Sequence, residues 1–248
     1  MIRTVIFDLD GTLVQTERLK AISYARAAVK LCPHEVTEEE VTEAYKDVVG
    51  QPRPEVASSL AVHFDLEHEA RNRMEEYGVS TPWQAFVQVR LEYYEEMISD
   101  PETLRDNQWP HNVELLQVAR DTGCKTALAT MSGHQRTQQV LEALRLTDAF
   151  DFVAPSDDME EGKPDPEIHF LVCEEVEIPH QQSLAIEDSP AGVRAALAGD
   201  LRCIVVTTPF TRKKIHEQDL LEDRWVIDDP GRLPEMVRGM IEGSGQEQ

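Results

Sequence analysis

The stretch Ile2–Val14, reading IRTVIFDLDGTLV, decides the fold. Within it Val5, Ile6 and Phe7 form an apolar run too short for periodicity to settle, but β-branched and aromatic enough to read as a buried strand. The run enters Asp8-Leu9-Asp10-Gly11, where two carboxylates two residues apart meet a glycine that lets the backbone turn sharply. In open α/β sheets ligands gather beyond the carboxyl ends of strands, so both aspartates are expected where chemistry occurs. Two carboxylates this close repel, and a hard divalent cation with oxygen ligands is a simpler remedy than a shared proton. A carboxylate can also attack phosphorus to form an aspartyl phosphate, while a second acid exchanges protons with the leaving group and then with water. A calcium loop fails on spacing. An EF-hand needs a third oxygen-bearing residue before its glycine and a glutamate at its twelfth position, which Leu19 occupies.

Outward from this stretch the chain turns helical, with Leu19, Ile22, Tyr24, Ala25, Ala28 and Val29 ending near Cys32 and Pro33. A second helix begins at Thr37 and closes at Gly50, and a third covers Val56 to Phe64. Asp65 reads as the N-cap of a fourth, ended by Gly78, and Thr81-Pro82 as N-cap and N1 of a fifth with Phe86, Val89, Tyr93 and Met97 on one face. From about residue 100 the pattern becomes alternation. Strands are expected at 125–130, 152–154, 184–186, 203–206 and 225–227, with helices around 113–119, 135–144 and 166–176, from Pro190, and at the C-terminal end. Such alternation predicts a parallel sheet covered by helices on both faces, with a helical bundle inserted after the first strand. The tail from Gly243 to Gln248 reads as disordered.

Composition narrows the function. A net charge of -23, from 24 basic and 47 acidic residues, repels nucleic acid and anionic membrane surfaces. The strand-like opening lacks a charged n-region and an apolar h-region, and no apolar run approaches membrane-spanning length, so a soluble cytoplasmic protein is expected. Cys32, Cys124, Cys173 and Cys203 are scattered, which argues against a zinc site or a disulfide framework.

Three later strand ends carry polar residues suited to joining Asp8 and Asp10. Thr130 can donate to phosphate oxygens or simply make a turn, with Ser132 capping the next helix. Lys163, in a Gly/Pro-rich loop, can set one positive charge beside a phosphoryl group. Glu187 and Asp188 can complete an oxygen-ligand site, and Ser189-Pro190 also begins a helix well.

Asp8-Leu-Asp-Gly-Thr12, Thr130, Lys163-Pro-Asp-Pro166 and Glu187-Asp-Ser-Pro-Ala-Gly192 resemble, in order, the four motifs of the haloacid dehalogenase (HAD) superfamily. The resemblance spans nearly the whole chain. It implies an α/β fold: a Rossmann-like doubly wound parallel sheet over residues 1–14 and 100–248, with an inserted α-helical cap of C1 type over 15–99. By that resemblance Asp8 is the nucleophile and Asp10 the acid/base, and Thr130 and Lys163 bind the phosphoryl group. Asp188, helped by Glu187, would hold Mg²⁺ together with Asp8 and the backbone carbonyl of Asp10. True dehalogenases lack an acid matching Asp10, which directs the resemblance to phosphoryl transfer.

The substrate-binding candidates are Glu17, Lys20, Arg53 and Ser132. Gly50 to Arg53 resembles the substrate-specificity loop of the mutases of this superfamily, although a solvated loop arginine explains it as well. Lys20 replaces the histidine that those mutases usually carry. The expectation is therefore a Mg²⁺-dependent phosphatase of a small phosphorylated metabolite, with a sugar phosphate foremost and a monomer or weak dimer as its assembly. β-Phosphoglucomutase is the alternative, and a catalytically dead binding scaffold is an alternative of another class.

The acid excess itself has two readings, an ordinary solvated surface or an adaptation to high salt. In the second case the melting temperature rises as KCl goes from low to molar concentration, because salt screens carboxylate repulsion. A flat or falling melting temperature supports the ordinary surface.

Overall fold

The computed structural model describes residues 1–243, so the expected disorder of 244–248 lies outside the described residues. The chain begins with β1 (Thr4–Phe7) and continues through α1 (Thr16–Leu31), α2 (Glu38–Val48), α3 (Arg53–His63), α4 (Glu67–Asn72), α5 (Met74–Tyr77) and α6 (Pro82–Ser99). It then runs α7 (Pro101–Asp106), α8 (Pro110–Asp121), β2 (Lys125–Ala129), α9 (His134–Leu144), β3 (Phe152–Ala154), α10 (Glu167–Glu175) and β4 (Ser183–Glu187). Last come α11 (Pro190–Ala198), β5 (Arg202–Val206), α12 (Arg212–Gln218), β6 (Val226–Ile227) and α13 (Leu233–Glu242). These elements form two compact units, one of Met1–Gln15 with the chain from Leu104 onward and the other of Thr16–Thr103. No helix among the described residues is long and apolar enough to cross a membrane.

The first unit holds a six-stranded parallel sheet of order β3-β2-β1-β4-β5-β6, the doubly wound arrangement the alternation predicts. Val5, Ile6 and Phe7 are at most 1 % exposed, so the opening strand is buried on both faces. Ile6 lies in register with Ala127 and Ala185. With Cys203 and Val205 these residues pack under Ile168 and Val172 of α10 and Val193 and Ala196 of α11. The alternate positions Val5, Phe7, Leu128, Leu184 and Ile186 point to the opposite face, where α8 packs on β1 and β2 and α13 packs on α8. Each such large side chain contributes about 1.5–3 kcal/mol by leaving water.

In the second unit α1 packs on α2 and α6, and Tyr24 meets the edge of Phe86 at 5.6 Å between ring centroids. Thr37 caps α2 in a reciprocal box with Glu40. Pro82 opens α6, where Gln84 Oε1 accepts from the Thr81 amide at 3.0 Å. Two expectations need correction. Asp65 is not an N-cap: with φ +51 it ends α3 in the left-handed region, and the Leu66 amide closes back on the Ala61 carbonyl at 2.8 Å. The fourth helix is two short pieces, α4 and α5, separated at Arg73.

One buried polar residue stands out in the sheet unit. His169 of α10 is fully buried, and neither ring nitrogen has a hydrogen-bond partner. Burial, reinforced by the nearby charge of Lys163, lowers its pKa from 6.5 to about 3. The folded protein therefore keeps His169 neutral while the unfolded chain binds a proton below about 6.5. The stability this gives is complete above that pH and declines as pH falls toward about 3. His169→Phe should remove a slope of about 1.4 kcal/mol per pH unit from the stability curve between roughly pH 6 and pH 4, measured by urea unfolding. An unchanged slope would show that His169 is not the group titrating.

Candidate active site

Parallel pairing places the ends of β1, β2 and β4 side by side, because β1 sits between the other two. Beyond β1 the Asp8 amide still donates to the Ile186 carbonyl at 3.0 Å, and the chain then turns through Gly11, whose amide donates to the Val14 carbonyl at 2.8 Å. Gly11 has φ +90, and a Cβ there would stand 2.0 Å from Asp188 Oδ2. No other residue fits the turn without displacing an acid. Gly192, in the first turn of α11, plays the same part beside Glu187, since its Cβ would fall 1.8 Å from Glu187 Oε2.

Asp8, Glu187 and Asp188 are 7 %, 1 % and 3 % exposed. Each offers a carboxylate oxygen within 4.8 Å of the others. Lys163 enters this cluster from the loop before α10, and its Nζ donates to Asp8 Oδ1 at 2.8 Å, Glu187 Oε1 at 2.7 Å and the Ala129 carbonyl at 2.9 Å. All three ammonium protons are thus used. Burial raises the Asp8 pKa, Lys163 pulls it down and Asp10 pushes it up, with a net rise. Burial likewise lifts Glu187 to about 7 against the pull of Lys163. Burial disfavours the Lys163 ammonium, but Asp8 and Glu187 outweigh it and hold its pKa above the ordinary value.

The donor set fits a divalent cation. Three buried acids face one buried lysine, two of them are held above the ordinary carboxylate range, and Glu187 Oε2 has no hydrogen-bond partner. A hard cation with oxygen ligands supplies the missing charge.

Asp10 lies outside that cluster of ligand atoms. Its Oδ2 accepts from Ser132 Oγ at 2.6 Å and from Thr130 Oγ1 at 3.4 Å, and the Ser132 amide in turn donates to Thr130 Oγ1 at 3.0 Å. The second acid is therefore held by the end of β2 rather than by the lysine. Ser132 does not cap α9, whose N-cap is Gly133; its hydroxyl is committed to Asp10. Ser189, by contrast, caps α11 by accepting from the Gly192 amide at 3.1 Å.

The remaining candidates belong to the helical unit. Lys20 Nζ and Tyr45 Oη both donate to Glu17, at 2.7 and 3.0 Å. Arg53 lines an open cavity of about 380 Å³ with Trp83, Gln84, Gln88 and Leu91. One residue of the helical unit carries a signal that the sequence-based expectations do not include. Arg90 of α6 is 4 % exposed, lies 5.1 Å from the Tyr24 ring centroid and 4.2 Å from that of Tyr94, and leaves its Nε without a partner. The spacing Phe86-Arg90-Tyr94, one residue in four along one face, was its signal.

Residues 5–206 match the haloacid dehalogenase-like hydrolase family. The phosphorylated carbohydrates phosphatase of Thermotoga maritima is 29 % identical, covering 81 % of this chain and 82 % of its own. A HAD family hydrolase of Deinococcus radiodurans, solved with bound phosphate and sodium, shares the fold at TM-score 0.72 and 20 % identity, over 97 % of this chain and 96 % of its own. The protein CbbY of Rhodobacter sphaeroides, solved with xylulose-(1,5)bisphosphate, aligns at TM-score 0.57 and 25 % identity over 86 % of this chain and 89 % of its own. With the family matched from β1 through β5, and the buried acids at the ends of the central strands β1 and β4 joined by Lys163 from the loop before α10, this chain belongs to the haloacid dehalogenase-like hydrolases.

Proposed function

We propose that this protein is a Mg²⁺-dependent phosphatase that hydrolyses a small phosphorylated metabolite, foremost a sugar phosphate, through an aspartyl phosphate on Asp8. The observation that carries this reading is the division of labour between the two aspartates. Asp8 is bound to a lysine charge at 2.8 Å, whereas Asp10 is held by two hydroxyls and remains free of that lysine. Asp8 attacks phosphorus as the bond to the leaving oxygen breaks, and Asp10 gives that oxygen its proton. Asp10 then takes a proton from water as the water attacks the acyl phosphate, which releases inorganic phosphate and restores Asp8. Lys163 holds Asp8 in place and offsets the negative charge that gathers on the transferring group.

Asp8, Glu187 and Asp188 would hold the Mg²⁺, which when bound neutralises charge on the phosphoryl oxygens and on the acids themselves. The sugar-phosphate class draws support from the Thermotoga relative, named for phosphorylated carbohydrates, and from the bisphosphate seen with CbbY. Glu17, Lys20, Arg53 and the buried Arg90 are the residues we assign to substrate choice, and Ser132 adds a hydroxyl beside Asp10.

Asp8→Asn should abolish turnover of p-nitrophenyl phosphate, because an amide does not attack phosphorus. Asp10→Asn keeps the nucleophile and should cost roughly 10²- to 10⁴-fold in kcat. Normal rates in a folded Asp8→Asn protein would overturn the mechanism. In β-glucose 1-phosphate with a trace of the 1,6-bisphosphate, phosphate release should outrun isomerisation, and the reverse result would assign the protein to the mutases.

Metal removal gives an independent check. EDTA should stop hydrolysis and Mg²⁺ should restore it, with Asp188→Ala shifting the restoring concentration upward. Full activity after exhaustive chelation would remove the metal from the scheme.

A further inference from the structure

Met131 follows Thr130 directly, and its side chain is 46 % exposed, unusual for so large an apolar residue. It is also committed to the loop that carries Lys163. Its Sδ accepts the Lys163 backbone amide at 3.4 Å, and its Cε occupies the space that a side chain on Gly162 would need, 2.4 Å from the position of a Cβ there. Lys163 makes its three ammonium bonds to Asp8, Glu187 and Ala129 from this supported backbone. A thioether open to solvent on one side therefore buttresses a buried charge on the other.

We propose that Met131 is a modification site at which oxidation by a peroxide turns the enzyme down. The step transfers one oxygen atom: the sulfur lone pair attacks the peroxide, the O–O bond breaks, the thioether becomes a sulfoxide and hydrogen peroxide leaves as water. Sulfur is oxidised by two electrons and the peroxide is reduced by two. The new oxygen is polar and fixed on a now chiral sulfur. It does not fit between Sδ and the Lys163 amide at their present 3.4 Å separation, so either the side chain swings out or the 160–165 segment moves. Both outcomes take the support from Gly162 and Lys163. Because Lys163 lies 2.8 Å from Asp8, a shift of its backbone reaches the nucleophile directly. The effect on activity rests on the phosphatase reading above; the effect on the loop does not.

The other oxidisable side chains differ in exposure: Met97, Cys124, Cys173 and Cys203 are buried, Met74, Met159, Met236, Met240 and Cys32 are half-buried, and Met1 is exposed. Met159 lies in the same stretch as the Lys163 loop, and the Met131→Leu variant keeps it, so damage through Met159 would appear equally in both proteins. Neither Met1 nor Cys32 has a hydrogen bond to the Lys163 loop. The test treats the full chain and its Met131→Leu variant with graded hydrogen peroxide. It follows Met131 sulfoxide by peptide mass spectrometry, p-nitrophenyl phosphate hydrolysis as a fraction of each protein's untreated rate, and amide hydrogen exchange in the peptide 159–167. In the parent, hydrolysis should fall on the order of 10- to 100-fold, the cost of misplacing a catalytic group by about an ångström. The fall should follow the sulfoxide, exchange in 159–167 should rise several-fold, and both should revert with methionine sulfoxide reductases of the two epimer specificities. Met131→Leu should keep most of its own starting rate and show no rise in exchange.

Equal fractional losses in parent and variant would place the damage elsewhere and overturn the proposal. So would complete Met131 sulfoxide with unchanged exchange in the loop. If the untreated protein hydrolyses no phosphomonoester, the functional reading fails while the exchange measurement still decides whether Met131 controls the Lys163 loop.

Discussion

The site depends on one buried ammonium. The Lys163 side chain is 4 % exposed and its Nζ is bonded to Asp8, Glu187 and the Ala129 carbonyl, which ties the ends of β1, β2 and β4 to the loop before α10. Removing one partner of a buried ion pair costs several kcal/mol, because the other charge is left uncompensated. Here a single lysine serves two acids, so its loss would leave both. Burial, with repulsion between the acids, holds Asp8 and Glu187 above the ordinary carboxylate range against the pull of Lys163. Three buried acids around one ammonium favour an added proton or cation, which links the architecture of the site to the family's use of metal.

Space is the second constraint. Gly11 and Gly192 each lie against an acid of the cluster, and a Cβ at either position would overlap a carboxylate oxygen. Both glycines were visible in the sequence within the acid-bearing motifs, but the reason for them was not. It comes from contacts between Gly11 and Asp188, and between Gly192 and Glu187, that only the folded sheet brings about. The strand order supplies the rest, for β1 lies at the point where the connections reverse direction, where a doubly wound sheet opens a crevice.

What the sequence discloses follows from how each feature is encoded. Strands buried on both faces are written as apolar runs, and β1, β2, β4 and β5 were legible for that reason. The acids at their ends were legible because turn residues and charges interrupt those runs. Helix α12 was not, since Ile215 is its one buried residue and nothing periodic marks it. Asp65 was misread because an aspartate both caps helices and tolerates the left-handed region, and local sequence does not choose between these uses. Ser132 shows the same ambiguity at the site itself. A serine before a helix reads as a cap, yet its hydroxyl goes to Asp10, 122 residues away. Long-range pairing of this kind has no local signature.

Lys163 and Arg90 show how a chain with 47 acids and 24 bases keeps a cation dry in two different ways. Lys163 is a compact point charge, and carboxylates compensate it within 2.8 Å. Arg90 is held differently: its planar guanidinium stacks against the rings of Tyr24 and Tyr94, and its Nε is left unsatisfied among the described residues. Aromatic faces repay part of the desolvation of a guanidinium but do not satisfy its N–H groups. Burial pulls the Arg90 pKa down, yet an arginine retains its proton in proteins, so the charge persists. Lys163 is thus compensated by carboxylates of the fold, whereas Arg90 is set against aromatic faces.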